Sequence, residues 1–71
     1  MTAKEMFEKL GYKYDKRISD IRYFKKDVYF IKEIIFEETD KEVYIADPLC
    51  IEIDLFKAIH QQLKELGWLD E

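Results

Sequence analysis

The scarce residues in this sequence exclude several kinds of chemistry. One cysteine, Cys50, and one histidine, His60, leave a single chain without the means to close a disulfide or build a cysteine-and-histidine zinc site. The only glycines are Gly11 and Gly67. A glycine-rich phosphate loop is therefore absent, and so is a calcium loop, which needs glycine at its sharp turn. No apolar run approaches the roughly 18 residues of a membrane span. The first ten residues carry Lys4, Glu5, Glu8 and Lys9, unlike a secretory signal. Together with the lone thiol, this gives a reducing, cytoplasmic setting as the expectation.

What is present is apolar, aromatic and highly charged. The chain has 71 residues, of which 48% are hydrophobic, too many for a disordered tail. The expectation is one domain over residues 1–71, with a core so small that it needs a supplement. Five Phe, five Tyr and one Trp provide one, since each aromatic side chain can bury about 150–250 Å². Self-association is the other. The net charge of -4 conceals an order: 13–32 balances to +4, whereas 33–56 sets eight acids against Lys41 alone and balances to -7.

Helix signals open and close the chain. Thr2 and Glu5 have capping-box spacing, and Ala3, Met6, Phe7 and Leu10 recur as one helix face. Gly11 then stops the helix and places Tyr12 against Phe7. A second helix is predicted from Asp54 as its cap, with Phe56, Ile59, Leu63 and Leu66 as its buried stripe, Leu55 widening it, and Gly67 as its stop before Trp68. The stretches 18–25, 28–37 and 42–46 are predicted strands, rich in β-branched and aromatic residues and joined by short turns. In 28–37, Val28, Phe30, Lys32, Ile34 and Phe36 form the better core face. The stretch 49–53 reads either as a short fourth strand or as an extended lead-in to the helix.

The predicted fold is therefore α+β, in the order α-β-β-β-α, an antiparallel three-stranded meander with both helices on one face. The uncovered face would show Tyr29, Ile31 and Ile35, an awkward surface for a monomer and hence a candidate interface.

Catalytic signals are missing. His60 lies about 40° round the helix from Phe56, outside the stripe, and no motif links it to Ser19, Thr39 or Cys50. Cys50 stands between Leu49 and Ile51 with no adjacent cation to activate it. The acids around 37–42 fit a solvated hairpin better than a metal site. No catalytic, cofactor or metal residue is assigned, and no enzyme is expected. A basic, aromatic stretch, 12–32, offers Arg22, Tyr23, Lys25 and Lys26 as nucleic-acid contacts. Against it stand the sequence pI of about 5.0 and the acidic strands that follow.

The segments Thr2-Ala3-Lys4-Glu5-Met6-Phe7-Glu8-Lys9-Leu10-Gly11-Tyr12, Ile34-Ile35-Phe36 and Leu63-Lys64-Glu65-Leu66-Gly67-Trp68 resemble small uncharacterised proteins of phages and prophages of Gram-positive bacteria. The resemblance implies a bacterial cytoplasmic setting and an accessory role, with no functional residues to carry over. The resulting expectation is a non-enzymatic interaction module that self-associates as a homodimer. A host or phage protein is a further candidate partner. A nucleic-acid-binding accessory protein is the alternative, and no membrane partner is expected.

Overall fold

The computed structural model describes residues 1–26, 28–29, 31–46 and 51–69. Two helices enclose a four-stranded antiparallel meander: α1 (Ala3–Lys9), β1 (Lys13–Lys16), β2 (Asp20–Lys26), β3 (Ile31–Glu37), β4 (Glu42–Ala46) and α2 (Ile53–Glu65). The strands lie in chain order, β1-β2-β3-β4. The expected α+β meander is present, and its fourth strand is β1, ahead of the three predicted ones. In the other candidate stretch, 49–53, Ile53 opens α2 and Glu52 is its N-cap. Leu49 and Cys50 lie outside the described residues, as do Asp27 and Phe30.

Local chemistry sets the helix ends. The Thr2 hydroxyl accepts from the Glu5 amide at 3.2 Å, and the Glu5 carboxylate accepts from the Thr2 amide at 2.9 Å, a complete capping box. At the other end the Gly11 amide donates to the Glu8 carbonyl and the Tyr12 amide to the Phe7 carbonyl, both at 3.0 Å. Gly11 takes φ 91°, a conformation that a β-carbon disfavours. Gly67 and Trp68 repeat this pair of bonds to Lys64 and Leu63. At the start of α2 the expectation needs correcting. The cap residue is Glu52, with no side-chain hydrogen bond to the helix, and Asp54 lies inside the first turn.

Both helices pack on the sheet face that carries Ile21, Tyr23, Ile34 and Phe36. Phe7 is the hub. Its ring stacks on Tyr23 with centroids 3.8 Å apart and meets Tyr12 and Phe36 edge-on at 5.7 and 6.3 Å. Ala58, Ile59 and Gln62 are the buried residues of α2, with Leu55, Leu63 and Leu66 packed beside them. The predicted stripe was thus displaced around the helix. Phe56 is 58% exposed and stacks on His60, while Leu55 takes the inner position. Gln62 is admitted to the core because its Oε1 accepts from the Tyr23 hydroxyl at 2.5 Å. Glu65 joins the helices, its carboxylate accepting from the Ala3 amide at 2.8 Å and the Gln61 side chain at 2.9 Å.

Candidate interaction surface

The second face of the sheet carries no helix among the described residues. The strand register lays out its contents in rows. Asp15, Arg22, Ile35 and Tyr44 stand side by side across all four strands. Lys13, Phe24, Glu33 and Ala46 form the next row. Asp20, Glu37 and Glu42 lie at one end, and Lys26 and Ile31 at the other. Ile31 is 54% exposed and Tyr44 50%, while Phe24 and Ile35 are half-buried among their charged neighbours.

The middle of this face is ionic. The Arg22 guanidinium contacts the Asp20 carboxylate at 3.0 Å and reaches Glu33 at 3.8 Å. The hydrogen bond from Arg22 holds the Asp20 carboxyl below its ordinary range. Glu37 is held low as well, because the amides of Asp40 and Thr39 donate to its carboxylate at 2.7 and 3.0 Å. These bonds fix the turn that leads into β4, where Lys41 adopts φ 55°. The Tyr44 hydroxyl donates to Glu42 at 2.7 Å, which pushes the phenol up from its usual value.

The two edges of the sheet differ. β1 presents Lys13 and Lys16, and Arg17 follows directly. Lys16 pairs with Glu38 at 3.3 Å. In β4 the only charge is Glu42 at its start, and Val43, Tyr44, Ile45 and Ala46 are uncharged. Val43 and Ile45 stand opposite the core residues Phe36 and Ile34, yet Ile45 remains 36% exposed because no strand lies beyond it among the described residues.

The structure separates the residues singled out from sequence. Ile31 and Ile35 share the uncovered face. Tyr29 is exposed but precedes β3 and lies outside the sheet pairing. Of the nucleic-acid candidates, Arg22 is committed to carboxylates on the uncovered face. Lys25 is on the opposite face, where its ammonium donates to the Leu10 carbonyl at 3.0 Å and lies over the Tyr12 ring. Lys26 ends β2. Tyr23 must be corrected: it is 1% exposed and forms the centre of the core, out of reach of any ligand. A basic aromatic platform made of these four residues does not exist. Phe24 and Tyr44 belong to the uncovered face and Ile45 to the helix-covered side of the edge strand, and none of the three was among the candidate contacts. Strand alternation was the available signal for Phe24, since a buried Tyr23 sends its neighbour to the other side.

A shallow groove of about 190 Å³ runs between α1 and the start of α2, lined by Met1, Met6, Lys9, Leu10, Asp54 and Lys57. It is smaller than the roughly 300 Å³ at which small-molecule sites begin. Among the described residues no group of three or more His, Cys, Asp or Glu is placed to hold a metal ion, and no helix is long and apolar enough to cross a membrane. The structure defines a two-layer α+β domain with a one-sided sheet. No protein-family model, no curated protein and no solved structure matches the chain.

Proposed function

We propose that this protein is a non-enzymatic interaction module that associates with a second copy of itself through the exposed parts of its sheet, its uncovered face or an edge. One observation carries this: both helices pack on a single face, leaving Ile31 and Tyr44 half or more exposed on the other, while Ile45, on the helix-covered side, is 36% exposed at an edge that no strand pairs among the described residues. The chain is also short of core, and a second copy is the supplement still open to it. A cytoplasmic phage or prophage setting belongs to this reading on the strength of the sequence resemblance alone. The nucleic-acid alternative has less support, because Tyr23 is buried, Lys25 is bonded to α1, and Arg22 is surrounded by carboxylates.

The test is sedimentation equilibrium of the purified chain across the micromolar range. The expected species has twice the 8.7 kDa mass of the chain. A single 8.7 kDa species at every concentration would refute self-association.

A further inference from the structure

Self-association leaves open whether two copies stack face to face or join edge to edge, and the charge layout separates these. Stacking the uncovered faces would bury Arg22 with Asp20 and Glu33, and bring Glu37, Glu42, Asp15 and Lys13 into the same interface. Removing such ions from water costs more than their mutual attraction returns unless the geometry is nearly ideal. An edge joint avoids that cost. A sheet edge offers a row of unpaired backbone donors and acceptors, and proteins commonly guard it with lysine, proline or a bulge. Here β1 is guarded by Lys13 and Lys16, while Val43, Tyr44, Ile45 and Ala46 of β4 carry no such charge.

We infer that the second copy docks through β4, antiparallel to its own counterpart, so that two four-stranded sheets become one of eight strands. This inference rests on the self-association proposed above. A two-fold axis perpendicular to the sheet pairs residues of the same face, and centring it on Tyr44 makes the strand self-complementary. Val43 then stands opposite Ile45 of the second copy on the helix-covered side, extending the apolar layer that already holds Phe36 and Ile34. Tyr44 meets Tyr44 on the other side as a cross-strand aromatic pair. Glu42 falls opposite Ala46, which keeps the two Glu42 carboxylates four residues apart, about 13 Å along the strand. Pairing β4 with β1 of another copy would instead propagate without closure and bring in the guarded edge.

The two faces of β4 and β3 supply the test. Ile45 points to the helix-covered side, so Ile45→Lys places a charge in the edge joint but not in a face-to-face stack. Ile35 lies on the inner strand of the uncovered face, so Ile35→Lys does the reverse. By sedimentation equilibrium the wild type and Ile35→Lys are expected to be dimers, with dimer dissociation at least tenfold easier in Ile45→Lys. Amide hydrogen exchange of the wild type gives a second measurement that needs no variant: exchange in β4 should slow as chain concentration rises, while β1 stays unchanged. Loss of the dimer in Ile35→Lys with its retention in Ile45→Lys would overturn the edge joint and leave self-association standing. So would assemblies growing beyond a dimer, or β4 exchange indifferent to concentration. A wild type that is monomeric throughout would remove the self-association itself.

Discussion

Tyr23 sits where a strand of alternating charge and aromatic residues meets both helices, and a single hydrogen bond allows it to be there. Burial, together with the neighbouring Tyr14, raises its phenol above the ordinary value of 10.0. The neutral hydroxyl donates to Gln62, itself buried on α2. Each polar group makes the other's burial tolerable. Tyr23→Phe should therefore cost about 1–3 kcal/mol, because Gln62 Oε1 is left without its donor. The double variant Tyr23→Phe, Gln62→Leu should recover most of that loss, to within about 1 kcal/mol of wild type. Urea unfolding of the four proteins in the cycle checks this, and equal losses in the single and double variants would contradict it. The pH dependence has a definite sign. A phenol whose value is raised in the fold contributes fully below pH 10 and less above it, since the unfolded chain ionises first. Wild-type stability should fall as pH rises past 10, and more gently in Tyr23→Phe.

Among the elements, the helices and the three predicted strands were legible because their signals are local. Capping box, glycine stop and apolar spacing all act within one or two turns, and the structure contains each of those at α1. β1 was not legible: Lys-Tyr-Asp-Lys has one apolar side chain, and it is a strand because Tyr14 faces Tyr23 across the pair, with ring centroids 5.6 Å apart. The short turns gave the strand order, but left open whether 42–46 stands at the edge, because 49–53 reads either as a further strand or as a lead-in to the helix. The rotation of α2 failed for a related reason. With Gln62 counted as polar, the apolar stripe centres towards Phe56. With Gln62 held inside by Tyr23, it centres on Leu55 and Leu66. Alanine substitution separates the two phases. Leu55→Ala, at a half-buried site against the core, should cost about 1–2 kcal/mol, and Phe56→Ala less than about 0.5 kcal/mol. Thermal unfolding monitored by circular dichroism measures both, and a larger loss at Phe56 would restore the sequence-based phase.

At the scale of the whole molecule, the self-association proposed above would tie stability to chain concentration. The core is organised around one ring, Phe7, which touches Tyr12, Tyr23 and Phe36, so helix and sheet cannot lose their order separately. A domain of this size has only about 3–5 kcal/mol to spare. Charge is ordered across the sheet as it was along the sequence, from Lys13 and Lys16 at the β1 edge to Glu42 at the β4 edge. That order guards the β1 edge with lysine and leaves Val43, Tyr44, Ile45 and Ala46 of β4 uncharged. If folded chains pair through β4 and unfolded chains do not, mass action ties the melting temperature to concentration. Each tenfold rise in concentration above the dissociation constant adds about 1.4 kcal/mol per dimer, or about 0.7 kcal/mol per chain. For a chain of this length that corresponds to a rise of roughly 3–5 °C in melting temperature. Scanning calorimetry over two decades of concentration should show this shift in the wild type and in Ile35→Lys, and little of it in Ile45→Lys. A wild-type melting temperature independent of concentration would mean that the fold is complete in one chain and that the small core alone sustains it.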